Sequence, residues 1–176
     1  VTITAANQFN TIDVTPTSAT AGTVQVNGAG PVVGFTGLGT TAIDATLTIN
    51  GGTSSDTLRV HGSTTGEAIA ADGTMVDIGT SQRVTYATVE ALEVLGGAGN
   101  DDFTITPAGI PIFVDGNDPI GTGDTLTVNA STLATFMAGP ENDEGSIVAD
   151  SQQAVSFDHI EAITVIDPTP VTPLAV

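Results

Sequence analysis

The chain has 176 residues, contains no cysteine and carries a formal net charge of −18, because two arginines oppose twenty carboxylates. These features exclude disulfides and thiolate sites, and they exclude charge-driven binding to nucleic acid or to an anionic membrane. The hydrophobic content of 40%, rich in Thr, Val and Gly, is typical of β-structure rather than of a disordered acidic tail. No run of about 18 apolar residues occurs, so the sequence predicts no transmembrane segment. The chain begins with Val1 and shows no signal peptide, so we expect a processed chain or a segment of a larger protein.

One pattern of residue types occurs three times along the chain. Each copy opens with a short strand of alternating apolar residues and later closes a strand on an aromatic residue. The opening strands are Asn10–Val14, Asp56–Val60 and Asp124–Val128, and the closing aromatics are Phe35, Tyr86 and Phe157. This repetition predicts a single repeat-built β domain over residues 1–166, with approximate repeats 10–55, 56–123 and 124–166.

Asn-Gly and Asp-Gly pairs between strands suit the positive φ of tight turns. Three pairs of strands lie close enough in the sequence to be predicted as hairpins. The predicted hairpins pair Val24–Val26 with Val32–Phe35, Met75–Ile78 with Val84–Tyr86, and Ile147–Ala149 with Val155–Phe157.

Four further stretches complete the prediction. Ile112–Gly116 is predicted as an additional strand that lengthens the interval between the last two repeats. Thr64–Ala71 and Ala130–Ala138 are candidates for short helical turns, but neither has good caps, so we expect almost no helix. Residues 167–176 contain three prolines, which lack the N–H that a ladder needs, and are interpreted as a linker or terminal strand.

Two all-β architectures fit these elements. In a parallel β-solenoid, the Asp-Thr-Leu-x-Val strands would stack on one another, as would the Glu-Ala-hydrophobic strands, with hairpins projecting from the side. A β-sandwich is the alternative, since short strands with frequent turns are also typical of that fold. The repetition and the absence of tryptophan favour the solenoid.

The turn Gly96–Thr104 matches G-G-x-G-x-D-x-U-x at every fixed position and resembles the calcium-binding repeats of RTX-type secreted proteins. The stretches Asn50–Leu58 and Gly121–Leu126 are similar to the degenerate Gly-Gly-Asp-Thr-Leu repeats of very large bacterial cell-surface proteins. The resemblance implies a parallel β-roll or β-helix, export, and calcium held by loop aspartates and backbone carbonyls.

Acidic turn residues are the candidate metal ligands, because calcium prefers six to eight oxygen ligands. The candidates are Asp101, Asp102 and Asn100 in the matched turn, Asp56 and Asp124 in the equivalent turns, and Asp115 and Asp118 in a further acidic turn. Asp and Asn residues also cap turns by bonding to their own backbone, and that structural interpretation stays open beside the metal site.

Signals for catalysis are weak. Glu90 and Glu161 occupy equivalent repeat positions, which indicates a structural cause rather than an acid–base pair. His61 and His159 lie in different contexts, and no zinc, nucleophile-elbow or phosphate-loop motif occurs. We therefore expect no enzyme.

The sequence predicts a non-enzymatic structural module outside the cell: part of a surface layer, adhesin stalk or filament. The expected partners are copies of itself or neighbouring domains of a larger surface protein, joined through exposed strand edges such as Val1–Thr4. One alternative is a glycan- or calcium-binding module of a large secreted protein. A second is a β-helix polysaccharide-degrading enzyme, for which Arg59 and Arg83 are the basic candidates.

Overall fold

A computed structural model describes residues 1–6, 8–28, 30–38, 46–118, 123–149 and 151–167. These residues form seventeen β-strands and no helix, which confirms the all-β class. The strands are β1 Thr2–Thr4, β2 Thr11–Ser18, β3 Ala21–Val26, β4 Val33–Phe35, β5 Leu47–Asn50, β6 Thr57–His61, β7 Ala68–Ala71, β8 Met75–Ile78, β9 Val84–Ala87, β10 Ala91–Ala98, β11 Asp102–Ile105, β12 Ile112–Asp118, β13 Thr125–Asn129, β14 Ala134–Ala138, β15 Gly145–Ala149, β16 Val155–Asp158 and β17 Ala162–Ile166. The Pro-rich residues 168–176 lie outside the described residues.

The strands assemble into two mixed sheets. The first sheet has eight strands in the order β1-β5-β9-β8-β7-β11-β13-β17. The second sheet has nine, in the order β14-β15-β16-β12-β10-β6-β2-β3-β4. The chain crosses repeatedly from one sheet to the other, so strands far apart in sequence lie side by side and run parallel.

Continuous apolar ladders run through the second sheet, where five strands are parallel and in register. One ladder consists of Ile12, Leu58, Leu92, Ile112 and Val155. The next consists of Val14, Val60, Val94, Val114 and Phe157. All ten side chains are buried, and burying each of them stabilises the fold by roughly 1.5–3 kcal/mol. Because a slip of one residue would turn these side chains to solvent, the alternation in the sequence fixes the register.

The three predicted hairpins form with antiparallel pairing. Their strands extend the two sheets, however, and do not project from the side. The reason is the burial of their apolar residues, such as Val76 and Ile147, in the common core.

The two candidate helical turns do not form, and the expectation of almost no helix is confirmed for the described residues. Their residues contribute strands β7 and β14 instead. β7 pairs with β8 and β11, and β14 pairs with β15, so sheet pairing overrides the weak local preference.

Stacking of the opening strands is confirmed for the first two repeats and wrong for the third. Ile12 lies directly beside Leu58, but Leu126 lies in the other sheet, between Phe103 and Ile163. Similarly, the Glu-Ala-hydrophobic strands β10 and β17 lie in different sheets. The additional strand β12, predicted from Ile112–Gly116, explains the change: one extra crossing moves every following strand to the opposite sheet.

Candidate functional site: the carboxylate corners

Two rows of polar side chains mark the corners where the chain passes from one sheet to the other. In the row we call corner 1, Asn10, Asp56 and Glu90 precede strands of the second sheet. Here the Asn10 N–H donates to Asp56 Oδ1 (2.8 Å), and the Asp56 N–H donates to Glu90 Oε2 (2.7 Å). Each carboxylate therefore accepts a backbone hydrogen bond from the neighbouring layer.

Corner 2 repeats this arrangement before strands of the first sheet. The Glu67 N–H donates to Asp101 Oδ1 (2.8 Å), and the Asp101 N–H donates to Asp124 Oδ1 (2.7 Å). The Asp124 N–H in turn donates to Glu161 Oε2 (2.7 Å). The starts of four neighbouring strands of the first sheet, β7, β11, β13 and β17, are thus joined by hydrogen bonds from backbone N–H groups to carboxylates.

The backbone geometry explains why acidic residues occupy these positions. The carbonyl oxygens of Asp56 and Asp124 already accept the backbone N–H groups of Glu90 and Glu161. Among the described residues, the N–H groups of Asp56 and Asp124 have no backbone acceptor, and leaving them buried and unpaired would be costly. A carboxylate from the adjacent layer supplies a charge-assisted acceptor.

The central corner carboxylates are deeply buried. Asp56, Asp101 and Asp124 are at most 1% exposed. Among the described residues, the second oxygen of each has no hydrogen-bond partner. That oxygen of Asp101 faces the backbone of Gly96, where an added Cβ would lie 2.5 Å from it. Gly51 and Gly116 stand in the same relation to Asp56 and Asp124, so a glycine makes room for each buried carboxylate.

Burial perturbs the ionisation of corner 2. It raises the pKa of Asp101 to about 6, against the opposing effect of the hydrogen bond from Glu67 N–H. The negative charges of Asp124, Glu67 and Asp102 raise this pKa further. Burial also raises the pKa of Asp124, again opposed by the backbone hydrogen bond that it accepts. Burial in corner 2 therefore favours the protonated form of the Asp101 and Asp124 carboxylates, because both pKa values are raised.

The glycines of the RTX-like turn are required by close stacking. Gly97 and Gly99 have φ values of 102° and 117°, a region that L side chains rarely adopt. Their Cα atoms press against the turn formed by Gly62–Glu67, where an added Cβ would collide with backbone atoms. In the described structure, the turn therefore serves to bring two layers into contact.

The seven predicted metal ligands do not converge on one site. Asp101 and Asp124 meet at corner 2, whereas Asp56 lies at corner 1. Asp102 is exposed and accepts a hydrogen bond from Thr125 Oγ1 (2.8 Å). Asn100 is also exposed.

The second acidic turn is engaged differently. Asp115 Oδ1 lies 2.9 Å from His159 Nδ1 and accepts the Asn117 N–H at 3.0 Å. Asp118 is exposed, and its carbonyl accepts the Gly99 N–H at 2.9 Å. Across the described ranges, no three His, Asp or Glu side chains are grouped closely enough to hold a metal ion. As placed, the first carboxylate oxygens of Asp56, Asp101 and Asp124 accept backbone N–H groups.

Four corner residues were not among the predicted ligands: Asn10, Glu67, Glu90 and Glu161. Three of them carried a signal, because Asn10 aligns with Asp56 and Asp124 in the repeat, and Glu90 aligns with Glu161. Glu67 had no comparable signal.

Both arginines are engaged with carboxylates. Arg59 donates to Glu93 (2.6 Å) and approaches Asp13 (3.5 Å), and Arg83 donates to Asp77 (2.6 Å). The histidines also face aspartates: His61 Nε2 lies 3.0 Å from Asp13, and the hydrogen bond with Asp115 raises the pKa of His159. The basic groups named for a lyase are thus paired within the chain and lie on different sheets.

Comparisons with protein-family models and with curated proteins found no match for this chain. Within the described ranges, no helix is long and apolar enough to cross a membrane.

Proposed function

We propose that the chain is a segment of a parallel β-solenoid in which each layer is joined to the next by corner carboxylates. The support comes from the in-register ladders of the second sheet and from the repeated corner contacts. Asp56 with Glu90 and Asp124 with Glu161 make the same backbone hydrogen bond at 2.7 Å, although the two pairs serve opposite sheets. A β-sandwich has no need of such layer-to-layer contacts.

From this architecture we infer a non-enzymatic structural module outside the cell, as part of a surface layer, stalk or filament. The observation that carries the proposal is the pair of corner rows, because their carboxylates accept backbone N–H groups of neighbouring strands and so have a structural role. The strongly acidic remaining surface and the presence of only two arginines, both paired, suit a chain exposed to salt and to trypsin-like proteases.

Two experiments test this function. Gold-labelled antibody against the chain should decorate the outside of intact source cells in electron microscopy, and labelling confined to the cell interior would refute the extracellular role. Incubation with acidic polysaccharides should release no product. Reproducible turnover that is lost in an Arg59→Ala variant would instead establish an enzyme.

Calcium stabilisation stays a prediction of the resemblance, and the unpaired second oxygens of Asp101 and Asp124 are the groups that favour it. If calcium binds the native state, saturating calcium should raise the midpoint of thermal unfolding, since a ligand of the folded state stabilises it by mass action. An unchanged midpoint in calcium and in excess chelator would show that the corners work without the ion.

A further inference from the structure

The outermost strands of both sheets lack the features that normally prevent edge-to-edge association. They are β1 and β17 in the first sheet, and β4 and β14 in the second. None of the four contains a charged residue or a proline, although the chain has twenty carboxylates and nine prolines. Natural sheets usually protect exposed edges with charges, prolines or bulges. Four unprotected edges indicate surfaces that pair with another chain.

Within the described ranges, backbone groups without a ladder partner line the two edges of the first sheet. The Ala162 N–H bonds to Asp124 O, and Ile166 O accepts the Ala130 N–H, so these residues face β13. Because neighbouring residues of a strand point in opposite directions, the backbone groups of Ile163 and Val165 face the free side.

The same reasoning applies to the opposite end of the sheet. Val1 O accepts the Thr48 N–H, and the Ala5 N–H donates to Asn50 O, so these residues face β5. The backbone groups of Thr2 and Thr4 therefore face the free side of β1.

The strand directions allow one end of the chain to continue into the other. β1 and β17 run parallel, since each is parallel to its neighbours and the two antiparallel steps around β8 cancel. β4 and β14 also run parallel, because each follows two antiparallel steps from the parallel block. A second copy displaced along the stack would thus extend both sheets in parallel pairing without any rotation.

The repeat itself shows that β14 lacks a neighbour. β7, β8, β9 and β10 in the second repeat correspond to β14, β15, β16 and β17 in the third, with the sheets exchanged. β7 is covered by β11 on its outer side, but no described strand covers β14. As a result Phe136 of β14 stacks on the buried Phe157 yet remains 51% exposed, at the open end of the core.

Charge at the two ends permits this contact despite the net charge of −18. The first 43 residues contain a single carboxylate, Asp13. The end formed by β1 and β4 is therefore nearly neutral, and it exposes Val1 (60%) and Val33 (52%). The opposite end is acidic, with Glu141, Asp143 and Glu144 between β14 and β15. An acidic end that meets a nearly neutral end avoids the repulsion that two acidic surfaces would cause.

We propose that copies of this chain associate head to tail, with β17 and β14 of one copy against β1 and β4 of the next. This inference rests on the proposed structural role, and it adds which strands form the contact between copies. Because different surfaces meet, the contact is heterologous and produces an open filament rather than a closed dimer.

Two edge variants of the full-length chain test the contact. Thr4→Pro removes an outward N–H from β1 and leaves the bonds to β5 intact, and Thr4→Ser is its matched control. Phe136→Lys places a charge at the open end of the core, and Met137→Lys places the same charge on the other face of β14, where Met137 lies beside Ser146. Circular dichroism of each variant verifies folding.

Light scattering over a range of concentrations gives the decisive readout. The unaltered chain and both controls should grow in mass with concentration, and more so at high salt, which screens the acidic sides. Each edge variant alone should remain monomeric. Their equimolar mixture should form dimers and nothing larger. The Thr4→Pro chain keeps an intact β14/β17 end and the Phe136→Lys chain keeps an intact β1/β4 end, so the two join once and leave only altered ends exposed.

Three results would overturn the contact. They are closed dimers of the unaltered chain, growth unaffected by either edge variant, and a monomer at every concentration. In the monomeric case, slow hydrogen exchange at Ile163 and Val165 would place another part of the same chain on this edge. None of these results alters the antibody labelling that tests the extracellular role, so the two proposals fail separately.

Discussion

Corner 2 predicts that the protein becomes more stable as the pH falls from 7 to 5. Asp101 is fully buried, and its pKa in the folded state is raised from the ordinary 3.8 to about 6. An acid with a raised folded pKa binds its proton more tightly when folded. Its contribution to stability is therefore complete below pH 3.8 and is lost as the pH rises through about 6.

The size of the effect follows from the shift. A difference of about two pKa units corresponds to about 3 kcal/mol between full protonation and full ionisation. Between pH 7 and pH 5, the linkage relation gives a gain of about 1 kcal/mol in the free energy of unfolding from Asp101 alone. His159, whose pKa is raised by Asp115, adds a gain of the same sign, so a variant is needed to isolate Asp101.

Asp101→Asn is that variant. The asparagine side-chain oxygen can still accept the Glu67 N–H, but the neutral amide does not titrate. Asp118→Asn removes the same charge from an exposed position that does not act on Asp101, and it serves as the control. Urea unfolding at pH 5, 6 and 7, followed by circular dichroism and by the fluorescence of the single tyrosine, measures the free energy of unfolding. We expect the stability gain to shrink by about 1 kcal/mol in Asp101→Asn and to persist in the control. Equal pH dependence in all three proteins would refute the burial argument.

The corner geometry yields two further predictions. Gly96→Ala should lower the unfolding midpoint, because the new Cβ would lie 2.5 Å from Asp101 Oδ2 and 2.9 Å from the Phe103 ring, whereas Gly109→Ala meets nothing within 4 Å and should be tolerated. Equal midpoints for the two variants would contradict the proposed contact between glycine and carboxylate. Asp56→Ala should destabilise the fold by about 1–3 kcal/mol, since it leaves the buried Asn10 N–H without its acceptor. Asp118→Ala, at an exposed position, should change urea stability by less than about 0.5 kcal/mol, and a similar loss in both would count against a special role for the corner.

Most strands and the three hairpins were predictable because their information is local, whereas β7 and β14 were not recognised as strands. Alternating apolar residues identified strands, and their short separation joined Val84–Tyr86 to Met75–Ile78 in the correct antiparallel pair. The additional strand at Ile112–Gly116 was also recognised from the sequence.

Sheet membership was not predictable from the residues, because it depends on the number of crossings that precede a strand. Leu58 and Leu126 occupy equivalent repeat positions and both are fully buried, yet they face the core from opposite sheets. The acidic corner residues were found in part. Asp56, Asp101 and Asp124 stood out as metal ligands, but the pattern alone does not distinguish a carboxylate that binds a cation from one that accepts a backbone N–H.

The exchange of sheets between the second and third repeats has a consequence for the outside of the molecule. The meander β7–β9 lies on one broad side, and its counterpart β14–β16 lies on the other. Inserting a single strand thus moves every later strand to the opposite sheet. The surface features of those strands then lie on the opposite side of the molecule, while their apolar side chains still face the core. A chain of this kind can present one motif on both of its faces simply by varying the number of strands between copies.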